Sequence, residues 1–346
     1  MSDIALEGRK PGFKFALFAI IFASLVIMLG AFTRLVDAGL GCPDWPGCYG
    51  HILWPDTEAE VAAANAKFPD MPVEHDKTWP EQVHRIFAGS LGLLCIAMVV
   101  IAVRQRRQGN ISFPMKLPLL ILAMVIVQGI FGMWTVTLKL WPKVVTLHLL
   151  GGFTTIALFT LLAFRLAGRY WQAEHDSTAA IKRLKPLLAV AFIAVVMQIA
   201  LGGWTTSNYA ALACPDFPTC QTRWIPDMDF AEGFNIWQTI GPNYLGGIMD
   251  SDARTAIHFS HRVGAIVVTV VVLLLVFKLR RTRFAPAQAW SKILLGVLLL
   301  QLGLGVSNII FALPLGVAVA HNAVGAALLL VMVGLSHRMA TVRVNQ

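Results

Sequence analysis

Cys42-Pro43-Asp44-Trp45-Pro46-Gly47-Cys48 returns 172 residues later as Cys214-Pro215-Asp216-Phe217-Pro218-Thr219-Cys220. A proline-rich frame closed by cysteines at both ends, met twice in one chain, points to an internal repeat. Its flanks agree. Gly30 matches Gly202 and Thr33 matches Thr205 at the same offset; Val83-His84-Arg85 matches Ser260-His261-Arg262 at 177, and Gln128 and His148 match Gln301 and His321 at 173. The order is kept throughout, so the chain reads as a tandem duplication with one half at 1–175 and the other at 176–346. The boundary falls in the basic segment 165–185.

The chain's 57% hydrophobic residues, 14% charged residues and mean hydropathy of +0.67 remove it from the soluble classes. Eight apolar runs, at about 14–34, 82–103, 117–138, 144–166, 187–207, 257–279, 291–312 and 317–337, each reach the ~20 residues that cross a bilayer. The expected fold is an all-α integral membrane protein of eight transmembrane helices, built as two pseudo-twofold-related four-helix bundles. Four spans per half give both halves the same orientation, with their axis along the membrane normal. The net charge of +9 does not form a nucleic-acid footprint, because its basic residues lie in short clusters between apolar runs. Of the 28 Lys and Arg, 19 fall on the side of both termini and 9 on the other. The positive-inside rule makes both termini cytoplasmic. The first run has no cleavage site after it and is read as a retained span. Fifteen of the 19 acidic residues lie on the outer face, mostly in two long loops after the first and fifth spans.

Cys42, Cys48, Cys214 and Cys220 sit in those outer loops, where disulfides persist, while Cys95 lies within the second span. Bridges are expected within each loop, Cys42 to Cys48 and Cys214 to Cys220; a structural staple and a redox-active pair both remain open as their role. The histidines carry more. His84, His148, His261 and His321 each open an even-numbered span near its outer end, so they form two pairs at matching depth inside two bundles. Four residues after each stands a small one, Ala88, Gly152, Ala265 and Gly325, on the same helical face, where a flat macrocycle would press. Imidazole suits iron, and no thiolate or carboxylate set accompanies these pairs, so they read as bis-histidine haem ligands rather than a copper or zinc site. Arg85 and Arg262, directly after two of them, read either as partners of haem propionates or as snorkelling interfacial arginines.

The halves differ most at Glu81. It precedes His84 by three residues on one helical face, and its counterpart is His258. A carboxylate there can receive protons or stabilise positive charge on the macrocycle edge, whereas a helix cap is the plainer reading. Gln128, Gln198 and Gln301 read as interhelical packing glue, Gly203-Trp204 and Gly132-Met133-Trp134 as interfacial belt and close packing, and 62–67 as a short amphipathic helix.

The Glu81-Gln82-Val83-His84-Arg85 motif, the Cys42–Cys48 frame, the duplicated four-helix halves and the four histidines together resemble the haem A synthase family, over the whole chain. That resemblance implies oxidation of the ring D methyl group of haem O to the formyl group of haem A, through two successive hydroxylations and loss of water. It implies that His84 and His148 hold the substrate haem O, with Glu81 as the catalytic carboxylate, and that His261 and His321 ligate a haem b cofactor. Cys42 and Cys48 match the family's outer-loop pair; the second pair departs from members with cysteines in one half only. The resemblance also implies a bacterial cytoplasmic (inner) membrane location and, as partners, the enzyme that supplies haem O and an unidentified electron acceptor. Oligomeric state, homo-oligomer included, is not written in the residues. Two rivals follow from the residues alone. A di-haem cytochrome b linked to quinol needs no asymmetric carboxylate, and a parallel-repeat transporter needs ionisable residues at mid-span.

Overall fold

The computed structural model describes residues 4–6 and 8–345. The helices are α1 (Phe13–Leu35), α2 (Glu58–Lys67), α3 (His75–Arg107), α4 (Lys116–Thr137), α5 (Pro142–Leu166) and α6 (His175–Arg183). They continue as α7 (Lys185–Ser207), α8 (Phe230–Gly233), α9 (Ser251–Arg280), α10 (Ala285–Ile310) and α11 (Leu315–Ala340). Eight of them, α1, α3, α4, α5, α7 with the preceding α6, α9, α10 and α11, are long and apolar enough to cross a membrane. In hydrocarbon every backbone group must find its partner inside the segment, which is why apolar runs of this length fold as helices. Exposed Phe18, Ile126, Ile266 and Leu299 on α1, α4, α9 and α10 give the outer surface an apolar character suited to lipid. The chain is an all-α integral membrane protein.

Helices α1, α3, α4 and α5 pack as a closed ring, each on the next, and so do α7, α9, α10 and α11. Each ring has its own apolar core, with Ala19, Met98, Ile121 and Phe159 in the first and Val195, Leu275, Leu298 and Met332 in the second. Between the rings α5 packs on α7 and α11, and α1 packs on α11. Phe153, Ala326 and Leu329 form the apolar contact at that seam.

The connections recur too. Asp37, Tyr49, Lys139 and Leu140 take left-handed backbone conformations, and so do their counterparts Tyr209, Gln221, Ala312 and Leu313. Both cysteine frames contain a cis proline, Pro46 and Pro218, and both close the expected disulfide, Cys42–Cys48 and Cys214–Cys220. In each frame the aspartate after the proline gathers the turn's backbone N–H groups. Asp44 accepts from Tyr49 and Gly50, and Asp216 accepts from Gln221 and Thr222.

Three features lie outside the sequence reading. A small sheet joins β1 (Ile4–Leu6), β2 (Arg169–Ala173) and β3 (Arg343–Val344), with β2 in the middle, antiparallel to β1 and parallel to β3. It brings both ends of the chain and the segment between the rings to one end of the molecule. Next, α2 begins at Glu58, ahead of the expected stretch. Thr57 and Glu60 form a capping box there, and the backbone N–H groups hold the Glu60 carboxyl below its ordinary range. Finally, Trp204 is buried, not in an interfacial belt, because its indole N–H donates to the Gly233 carbonyl at 2.8 Å and anchors α8. Trp134 is 40% exposed, as a belt residue should be.

Candidate functional site

Helices α3 and α9 begin at His75 and Ser251, well before their apolar runs, because the polar residues ahead of each run continue the same helix. His84 therefore stands nine residues inside α3, about 13 Å from its start, and His148 six residues inside α5, about 9 Å. The helices thus extend beyond the apolar runs that the histidines open, and the histidines stand at similar positions in the two rings.

The imidazoles of His84 and His148 face one another across the first ring with centroids 6.5 Å apart and planes at 89°. Each of the four histidines is half-buried. Behind each ring stands a glycine of a neighbouring helix. A Cβ on Gly30, Gly202 or Gly305 would lie 2.8, 3.2 or 3.1 Å from Cε1 of His84, His261 or His321, and one on Gly132 would lie 3.5 Å from Cε1 of His148. Contacts under 3.0 Å essentially never occur, so the imidazole of His84 can lie where it does only because residue 30 has no side chain.

Four residues before each of these glycines the pattern splits. Gln198 donates from Nε2 to the His261 carbonyl at 2.8 Å and lies 3.1 Å from His261 Nδ1; Gln301 Nε2 lies 3.3 Å from His321 Nε2. Gln128, Gln198 and Gln301 each press on a glycine of the histidine helix, Gly151, Gly264 and Gly325. Beside His84 the equivalent residue is Val26, and in place of the opposing glycine stands Phe87, stacked on Phe22 at 5.5 Å. His261 and His321 thus have an amide neighbour, while the equivalent position beside His84 is valine.

Over these histidines the cysteine loops are docked by side chains of the same helices. Glu81 is 4% exposed; its Oε2 accepts the Cys42 N–H at 2.9 Å and its Oε1 accepts from Arg85 at 2.5 Å. Arg85 also donates to the Asp44 and Gly47 carbonyls at 2.7 and 2.6 Å. In the second ring His258 Nδ1 lies 3.0 Å from the Ala210 carbonyl, to which it can donate, and 3.4 Å from the Cys214 nitrogen, and Arg262 donates to the Thr219 and Cys214 carbonyls at 2.7 and 2.8 Å. Glu81 lies six residues past the start of α3, so it is not a helix cap. The two arginines, expected at propionates or at the interface, have their terminal nitrogens engaged by loop carbonyls.

Residues 13–333 match the family model of COX15-CtaA, cytochrome oxidase assembly protein. Curated relatives agree: the chain is 45% identical to the haem A synthase of Shewanella oneidensis over 92% of this chain and 93% of that protein. It is 27% identical to that of Halalkalibacterium halodurans over 86% of each, and 28% identical to that of Methylobacterium radiotolerans over 89% and 85%. The chain belongs to the haem A synthase family.

A haem A synthase has to accommodate haem, and the first histidine pair passes that test. Two imidazoles bound to one iron, each at about 2 Å with about 1 Å more to the ring centre, put their centroids roughly 6 Å apart. The observed separation fits. The Nδ1 atoms of His84, His148 and His321 and the Oε1 atoms of Gln198 and Gln301 are shielded from water and lack partners among the described residues. Such orphans mark a place where further polar chemistry belongs. The contacts of the amides and glycines with the histidines are what sequence reasoning did not anticipate. Their signal was present: Gln-x-x-x-Gly occurs on three of the four odd-numbered spans, at 128–132, 198–202 and 301–305.

Proposed function

We propose that this protein oxidises the ring D methyl group of haem O to the formyl group of haem A, with the reaction in the half spanning 1–175 and a haem b in the half spanning 176–346. His84 and His148 hold the substrate haem, and His261 and His321 hold haem b; bound iron porphyrin supplies one-electron redox chemistry. Arg85 and Arg262 fix the cysteine loops over the two sites. Glu81 keeps a negative charge one turn outward of the reacting pair, stabilises positive charge on the macrocycle edge and accepts protons from it. The loops exclude water from above.

One observation carries the assignment of the reacting half: Glu81 takes the Cys42 N–H and pairs with Arg85, whereas its counterpart His258 brings no carboxylate to the Cys214 loop, and Glu81 does so beside the one histidine whose neighbouring helix has Val26 where the others have a glutamine. An apolar shell around a ligand tunes its iron differently from an amide. The pseudo-twofold relation of the halves is supported by the packing at the seam. Exchange of the halves turns the α1 and α11 contact into the α7 and α5 contact and leaves α5 on α11 unchanged. The small sheet, set where basic residues gather, supports cytoplasmic termini in a bacterial inner membrane, with the long loops outside.

Haem extracted from the purified protein and identified by mass tests the reading. Haem O or A beside haem B supports it; haem B alone favours a di-haem cytochrome. A finer test uses two glycines. Gly30→Ala puts a methyl group 2.8 Å from His84 Cε1, whereas Gly132→Ala makes an ordinary 3.5 Å contact with His148. We expect Gly30→Ala to lower haem A yield roughly tenfold or more through ring displacement, with Gly132→Ala near wild type. Equal yields and equal visible spectra from the two variants would dismiss the role of Gly30.

A further inference from the structure

At the end of the molecule opposite the cysteine loops, a cavity of about 410 Å³ opens between the last turns of α3, α5 and α11 and the first turn of α4. Lys10, Arg106, Lys116, Arg165, Arg169 and His337 line it, and among the described residues no carboxylate does. None of the four ion pairs of the described residues uses these five cations. His337 Nδ1 is shielded there and has no partner among the described residues, while its ring lies 5.6 Å from that of Phe164. Phe113, Leu117 and Phe164 add an apolar wall.

Cations at helix C-termini are favoured by the helix dipole, and that accounts for Arg106 and Arg165. It does not account for Lys116, which is the first residue of α4 and stands at the positive end of that dipole. Nor does it account for Lys10 and Arg169, which lie outside the helices. Cations converging here, with no carboxylate among the described lining residues, repel one another unless an anion joins them. The cavity sits at the ends of membrane-spanning helices, the depth of phospholipid headgroups, and it combines charge with an apolar wall.

We propose that this cavity binds the phosphate of an anionic phospholipid headgroup, with Lys116, Arg165 and Arg169 around the phosphate oxygens and the acyl chains leaving along Phe113 and Leu117. The cations of this lining exceed what one phosphodiester neutralises, so a lipid with two phosphodiesters binds more tightly than a lipid with one.

The test titrates the purified full-length protein in detergent with cardiolipin, phosphatidylglycerol, phosphatidylcholine and, separately, inorganic phosphate, reading bound lipid by native mass spectrometry and Tm by calorimetry. We expect affinity to fall in the order cardiolipin, phosphatidylglycerol, phosphatidylcholine. The double variant Lys116→Gln with Arg165→Gln should bind cardiolipin roughly thirtyfold more weakly, at about fivefold per charge. Lys116 is exposed, so the single Lys116→Gln variant, with about fivefold loss, and Lys116→Arg, with recovery, serve where the double variant folds poorly. Arg280→Gln with Arg281→Gln, at the same end but outside the cavity, should leave affinity unchanged. Equal losses in the cavity and control variants would overturn the proposal, leaving only general attraction of the basic face. A Tm rise with inorganic phosphate equal to that with cardiolipin would assign the site to a soluble phosphate and overturn the lipid.

Discussion

Glu81→Gln should cut haem A formation by a hundredfold or more while both haem sites still fill. Glutamine keeps an oxygen for the Cys42 N–H, so the loop stays docked, but it removes the negative charge facing Arg85. Positioned acid–base groups contribute about 10²–10⁴-fold to a rate, which sets the expected loss. A purely architectural Glu81 predicts another pattern. Arg85 would lose its ion partner but keep two carbonyl acceptors, stability would drop by a few kcal/mol at most, since breaking a fully buried pair costs about 3–5 kcal/mol, and turnover per folded molecule would persist. Supplying the variant with haem O and quantifying haems O and A and the hydroxylated intermediate by chromatography, beside its Tm, separates the two. Normal haem A yield would remove the chemical role of Glu81 and the reason for placing the reaction in the first half.

His261→Ala and His321→Ala should each strip haem b from the protein and loosen α7 and α9–α11, because a metal held by two imidazoles couples its binding to folding of the helices that carry them. The expected readout is loss of the low-spin b-type absorption with a lower Tm, while the His84 and His148 pair retains its own haem. Gln198→Leu provides a graded companion. It removes the amide 3.1 Å from His261 Nδ1 without touching the ligand, and loss of such a neighbour typically costs about 10–100-fold in metal affinity or activity. Full b-type absorption in both histidine variants would refute the ligand assignment, and an unchanged spectrum and affinity in Gln198→Leu would reduce that glutamine to packing.

What the sequence made legible was whatever its periodicity and repetition encode. Eight spans and the short helix in the first outer loop could be read because each is a local pattern of apolar spacing. Element ends were less legible, since α3 and α9 run on through polar residues once the apolar signal has ended. The sheet of β1, β2 and β3 was hidden for another reason: its strands are two to five residues long and meet across the whole chain. The roles of Arg85 and Arg262 depend on which backbone carbonyls the loops present, and no spacing rule supplies that. The glutamines were visible as polar residues in apolar spans, but their aim at His261 and His321 comes from helix packing.

The exchange of Glu81 for His258 has a consequence for the protein's ancestry. Both side chains stand against the backbone of their cysteine loop, Glu81 at the Cys42 N–H and His258 at the Ala210 carbonyl and the Cys214 nitrogen, so an ancestor with either residue in both copies could replace one of them and still hold that loop through the neighbouring arginine. After duplication the two copies could specialise through a single substitution there, its cost to the scaffold softened by the arginine that both copies keep on their loop carbonyls.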